Sequence, residues 1–271
     1  TVKAQLTDNI RRNGEGYGRR SSANIEILPK EDKPGIDIII KPGTKNESVH
    51  IPVLISQTGL KEVVYNDFYI GEDCDVTIVA GCGIHNGGDK DSEHSGIHAF
   101  YVGENARVKY VEKHYGEGEG TGKRILNPQT VLYLEEGASV TLETTQIRGV
   151  DDTKRYTKVV CQGPNSEIIV RENLLTHNDQ HADSEMDIFL NGEDSKAQVI
   201  SRSVAQDNST QVFYPRMIGQ CKSFGHVQCD SIIMDRAKVR SIPEICANDV
   251  EAKLIHEAAI GKIAGDQILK L

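Results

Sequence analysis

Five short polar segments recur along the middle of the chain at nearly constant spacing. They are "GEDCDV" (71–76), "GENARV" (103–108), "EEGASV" (135–140), "GPNSEI" (163–168) and "GEDSKA" (192–197), with starts 32, 32, 28 and 29 residues apart. Each is a polar turn with an apolar residue five positions after its start. Each leads into a segment of alternating character: "DVTIVA", "RVKYVE", "SVTLET", "EIIVRE" and "AQVISR". Alternation at period two marks half-buried strands. A supersecondary unit that recurs about every 30 residues cannot bury its apolar face alone, so it must stack on its neighbours. A propeller blade needs about 40 residues and four strands. A sandwich shows turns every ~8–12 residues without the longer period. The spacing therefore predicts an all-β parallel β-helix, with two main faces and turns at their edges.

The ends depart from this pattern. Residues 1–35, with "RRNGEGYGRRSS", are polar and rich in Gly and Arg, and are expected to form an N-terminal arm or a partly ordered cap. Residues 36–263 form the expected β-helix core. Residues 264–271, "AGDQILKL", have the character of a helix start, with Asp266 near its beginning. Just before them, "VEAKLIHEAAIGKI" fits either of two geometries. As a helix it would set the neighbours His256 and Glu257 about 100° apart, and as a strand on opposite faces.

Composition narrows the function classes. The formal net charge is −9, from 31 basic and 40 acidic residues, which offers no general attraction to nucleic acid or anionic membrane. Tryptophan is absent and aromatics make up 5%, so base-stacking platforms are poorly supplied. Apolar runs such as "IDIII" and "PVLIS" are too short to cross a bilayer, and residues 1–10 are polar, without the pattern of a signal peptide. Six cysteines occur, at 74, 82, 161, 221, 229 and 246, with no C-x-x-C pair. A chain of this length builds its own core, so free thiols in a reducing cytoplasm are expected.

Several segments invite chemical readings. "GEGEGTGKR" (116–124) is glycine-rich, but it matches neither phosphate-binding spacing and reads as a loop between strands. Two clusters hold candidate metal ligands: His85, Asp89, Asp91, His94 and His98, then His177, Asp179, His181, Asp183 and Glu185. No H-E-x-x-H occurs, and both clusters read as solvated edge loops unless they converge in the fold. "CDSIIM" reads as a strand with Cys229, Ser231 and Ile233 on one face. A lone strand cysteine is ordinarily a small core residue.

The long ordered block from Cys229 to Gln267 is more specific than any of these. Its "CDS", "IPEIC", "ANDVEAKL", "IHEAAIGKI" and "AGDQ" segments, with the upstream "THNDQHADSE", resemble the SufB/SufD family of iron–sulfur cluster assembly scaffolds. The resemblance spans about residues 160–271, and Ala259 departs from it where the family has Thr. It implies a right-handed parallel β-helix and a C-terminal helical segment that docks on a SufC-like ABC ATPase. It implies pairing through the β-helix, as a homodimer or with a SufB/SufD-like paralogue. Residue by residue, Cys229 falls on the sulfur acceptor or cluster ligand, Glu257 on a SufB-type glutamate and His256 on a SufD-type histidine. All three are expected ligands of iron or a transient iron–sulfur cluster, and thiolate, imidazole and carboxylate suit iron chemically. A thiolate can also carry sulfur as a persulfide.

The expected function is therefore a cytoplasmic assembly scaffold without catalytic turnover of its own, binding neither nucleic acid nor membrane. A role for flavin is left open. Two rivals predict different features. A β-helix carbohydrate-active protein needs clustered aspartates or a calcium site, and exposed aromatic faces. A purely structural partner of the ATPase needs no reactive thiol at all.

Overall fold

The computed structural model describes residues 7–263, which form twenty-one strands and no helix. β1 (Thr7–Arg12), β2 (Glu15–Arg20) and β3 (Ile25–Pro29) come first, followed by β4 (Gly35–Ile40), β5 (Lys45–Ile55) and β6 (Lys61–Ile70). The centre holds β7 (Asp75–His85), β8 (Ser92–Val102), β9 (Arg107–Glu117), β10 (Arg124–Leu126), β11 (Gln129–Leu134), β12 (Ser139–Gln146) and β13 (Asp152–Cys161). The chain continues through β14 (Glu167–Thr176), β15 (His181–Leu190), β16 (Ser195–Ala205), β17 (Thr210–Gly219) and β18 (Ser223–Met234). β19 (Lys238–Ser241), β20 (Glu244–Ala247) and β21 (Ala252–Ile263) complete it.

Successive strands alternate between two sheets. One runs β2-β1-β5-β7-β9-β12-β14-β16-β18-β21, and the other runs from β19 through β17, β15, β13, β10, β8, β6 and β4 to β3. Every pairing except β1–β2 and β3–β4 is parallel. The result is a parallel β-helix of about eight turns, as the repeat predicts.

The five repeats lie at one edge of this stack, each entering a strand of the first sheet. The third residue of each (Asp73, Asn105, Gly137, Asn165 and Asp194) has positive φ, between 54° and 66°. Asn and Asp tolerate this left-handed conformation better than other side chains, and Gly is indifferent to it. The fourth residue (Cys74, Ala106, Ala138, Ser166 or Ser195) is small and buried inside the turn. At another edge Asn178, Asp207 and Asp235 repeat the device with φ of 52–56°.

Inward-facing side chains pack into one continuous core from Ile25 to Cys229. Phe68 and Phe100 stack in it with parallel rings 4.3 Å apart. Burial of each such side chain contributes about 1.5–3 kcal/mol.

Within the stretch expected as an arm or a cap, Thr7–Pro29 forms strands. Ile25 and Ile27 are buried in the core, Thr7 and Asp8 are buried as well, and Arg20 pairs with Asp8, so this stretch caps the stack with strands. The glycine-rich loop lies between β9 and β10, and its glycines answer to crowding. A Cβ at Gly118, Gly120 or Gly122 would come within 2.1–2.3 Å of the 86–90 backbone. "AKLIHEAAIGKI" is β21, which settles the open geometry in favour of a strand. The expected helix start at 264–271 lies outside the described residues.

Candidate functional site

Cys229 lies on β18 with its side chain facing the interior, 1% exposed. Register places it in a file of inward side chains, one per coil. The file runs Ala80, Glu112, Thr144, Glu172, Ser201 and Cys229, with Ala258 next on β21. The adjacent inward file runs Cys82, His114, Gln146, Leu174, Ser203 and Ser231. These files carry a run of buried polar side chains along the stack, facing others on the second sheet such as Arg155, Ser184 and Gln211.

The thiol is bordered by hydroxyls. Ser231 Oγ is 3.8 Å from Cys229 Sγ and makes a 2.8 Å hydrogen bond with Ser203. Ser241 Oγ, on β19, is buried without a partner that meets normal hydrogen-bond geometry, yet lies close enough to influence the sulfur. Burial pushes the Cys229 thiol above its ordinary range. Ser241 and Ser231 pull it partly back, and the charges of Glu172 and Asp230 raise it further.

His256 and Glu257 point to opposite sides of β21. His256 pairs in register with Val227 on the inward side, two positions from the Cys229 rung, and its Nε2 is buried with no hydrogen-bond partner. Glu257 is exposed on the outer face, where its Oε2 lies 3.0 Å from His226 Nε2. One chain thus brings His256 to the same face as Cys229 and keeps Glu257 away. Among the described residues, no three His, Cys, Asp or Glu side chains gather into a group able to hold a metal ion.

The other candidate ligands are dispersed or already paired. His94 and His98 turn inward on β8, His85 stands at the end of β7, and Asp91 accepts a hydrogen bond from the Lys123 backbone. His181 pairs with Asp183 at 2.9 Å, while Glu185 and Asp187 are both taken by Arg216. The outward file Tyr69, Tyr101 and Tyr133 is stacked ring on ring, with centroids 5.2 and 5.6 Å apart. Those ring faces cover one another instead of offering a platform to a sugar.

A second buried polar group lies deeper in the stack; His94 belongs to the first candidate cluster, and its partners there were not legible in the sequence. His94 Nδ1 meets Glu62 at 2.8 Å, and Arg11 meets the same carboxylate at 3.1 Å. Glu112 lies 2.7 Å from His114 and 3.2 Å from Arg155. Despite the opposing effect of burial, Arg155 and His114 hold the Glu112 carboxyl well below the usual range.

The family model described as SUF system FeS cluster assembly, SufBD core domain, matches residues 62–269. The chain belongs to the SufBD family. Iron-sulfur cluster assembly SufBD family proteins of two archaea illustrate the likeness. That of Methanocaldococcus jannaschii is 25% identical over 246 residues, covering 90% of this chain and 77% of the relative. That of Methanothermobacter thermautotrophicus is 24% identical over 241 residues, covering 88% and 57%. A chloroplastic SufBD family protein of Arabidopsis thaliana is 30% identical over 188 residues, covering 66% and 34%. This SufBD chain thus spans little more than half the length of the Methanothermobacter relative. No helix among its described residues is long and apolar enough to cross a membrane.

Proposed function

We propose that this SufBD protein is a scaffold component of cytoplasmic iron–sulfur cluster assembly, with Cys229 as its sulfur-accepting thiol. The observation that carries the reading is the Cys229 environment. A thiol lies at the end of a polar file, with hydroxyls around it and an unpaired imidazole nitrogen on the same face. A structural partner of an ATPase would have no use for such an arrangement.

The chain's own residues divide the work. Cys229 takes up sulfur, and His256 offers an imidazole nitrogen to iron from the same face. Glu257 offers a carboxylate outward. The cluster is cargo, handed on after assembly. Because the three groups do not converge in one chain, the ligand set is completed by a second subunit, either another copy or a SufB/SufD-like paralogue. An exposed apolar groove of about 730 Å³ supports pairing at that end of the stack; Ile147, Leu174, Ile232 and Ile260 are among its lining residues. A SufC-like ABC ATPase drives the rearrangement that opens the buried thiol.

Anaerobic reconstitution of the full chain with iron and sulfide tests the reading. Wild type is expected to gain iron, acid-labile sulfide and visible charge-transfer absorption. Cys229→Ser is expected to lose most of that signal. Equal cluster content in the two proteins would remove Cys229 from the reaction.

A further inference from the structure

The outer face of the second sheet carries an unbroken apolar file, one side chain per coil. Register runs it from Ile39 through Tyr69, Tyr101 and Tyr133 and on to Val160 and Phe189. Ile39, Tyr69 and Tyr101 are between 37% and 43% exposed. Single exposed apolar residues are ordinary, but a contiguous row of them marks a surface that something covers. Beside the rings the chain turns through Gly71 and Gly103, which have no side chain to fill the space. A shallow groove of about 380 Å³ opens there along the file.

The two walls of the groove differ. On one side Asp37 and Asp67 are both taken by Lys30, and Ala99 and Val131 continue their file. On the other side runs the repeat edge, with Glu135 lining the groove. Glu72, Glu104 and Glu136 follow one another there, one per coil, each accepting a backbone hydrogen bond from the turn of the coil before. All four glutamates are exposed. Among the described residues none of the four has a salt-bridge partner, whereas the outward Glu143 has two, Lys109 and Arg171. Lys41, at the corresponding turn of an earlier coil, gives its ammonium to the Ala23 carbonyl. Carboxylates repeated at the coil spacing of about 4.8 Å repel one another until a cation comes between them.

The spacing of the rings selects the occupant. Their centroids are 5.2 and 5.6 Å apart, and an α-helix rises about 5.4 Å per turn. A helix lying along the stack therefore meets one ring per turn and stays in step with the file. Its apolar residues recur at i, i+3 and i+4 over the tyrosines, and its flank meets the glutamates at nearly the same pitch. A strand is the wrong occupant. The backbones of β4, β6, β8 and β11 are already paired on both sides, which leaves an added strand nothing to bond. We propose that this groove docks a cationic amphipathic helix of a partner protein, with its apolar stripe on Tyr69, Tyr101 and Tyr133 and its Lys or Arg flank on Glu72, Glu104 and Glu136.

Because the ring faces cover one another, the helix meets ring edges and hydroxyls. Tyr156 and Tyr214, on the same sheet face, spend their hydroxyls on Asp187 and Glu244. Among the described residues no such bond holds the three tyrosines of the groove. No part of this surface involves Cys229, so the docking site goes beyond the cluster reading and stands or falls without it.

The test titrates the full chain into a fluorescently labelled synthetic helix and follows anisotropy. The peptide is about 15 residues long, with leucine along one stripe and lysine along one flank. Wild type is expected to bind it, less tightly as salt rises, and to bind a scrambled peptide of the same composition at least ~10-fold less well. Tyr101→Ser should weaken binding about tenfold, as should Glu104→Gln combined with Glu136→Gln; this is the usual cost of losing central contacts. A control of equal charge, Glu15→Gln with Glu251→Gln, should bind as wild type does, which separates the groove from a general attraction of cations to an acidic protein. Both glutamates of the test pair are exposed on turns, so their variant carries the test if Tyr101→Ser does not fold. Absence of binding, equal affinity for the scrambled peptide, or unchanged affinity in the Glu104 and Glu136 variant overturns the proposal. So does a Tyr101→Ser protein that loses self-association in sedimentation velocity but keeps the peptide, because the file would then be a contact between copies of the chain.

Discussion

His98 sits between Phe68 and Tyr110, with its Nδ1 2.8 Å from the Tyr110 hydroxyl and its Nε2 3.2 Å from Asn66. Burial depresses it to about 4, so the folded protein keeps it neutral where the unfolded chain would protonate it. His114 is depressed for the same first reason. For both, stability is complete above about pH 6.5 and falls as the pH drops toward the folded value, because the unfolded state binds more protons there. Glu62 and Glu112 are also depressed, and their contribution is lost at still lower pH, below about 4.5. Glu172 is raised and runs the other way, losing stability as the pH rises through its folded value. Urea midpoints are therefore expected to fall between pH 7 and pH 4. His98→Gln should flatten that fall by roughly 3 kcal/mol. An unchanged slope in the variant would remove His98 as its source.

The turn at the repeat edge is the element that organises the fold. Asn105 occupies its left-handed position with φ of 54°. Asn105→Val is expected to cost about 1–2 kcal/mol in chemical denaturation, and Asn105→Gly much less. A valine variant as stable as wild type would show that the turn is held by its neighbours alone. This element was legible because its constraints are local: a left-handed position needs Asn, Asp or Gly, and a buried position beside it needs a small side chain. Coils outside the five repeats carry weaker marks. β5, β18 and β21 follow "PGTK", "QCKS" and "ANDV", which fill the corner with other residues. The N-terminal strands were hidden because most of β1 and β2 is polar, and only pairing with β5 gives β1 its place. At the site, the opposite faces of His256 and Glu257 followed from strand geometry once β21 was known to be a strand. Glu172 and Ser201 were not legible beside Cys229, because the register between coils is set by packing along the whole stack.

Across the whole molecule, each coil touches mainly the coils before and after it, so stability accumulates along one dimension. The candidate site occupies the coils formed by β18, β19 and β21, beside the apolar groove. If pairing uses that groove, Ile260→Lys is expected to shift the protein toward monomer in sedimentation velocity while leaving its circular dichroism unchanged. A variant that associates as wild type does would place the pairing surface elsewhere. The inward file also constrains changes of chain length. A single-residue deletion within β16 would exchange its two faces and turn Ser201 toward water. Removing the whole coil Ser195–Lys222 would preserve every face and bring Cys229 directly alongside Glu172. Along this axis the protein can change length without scrambling its interior only in whole coils.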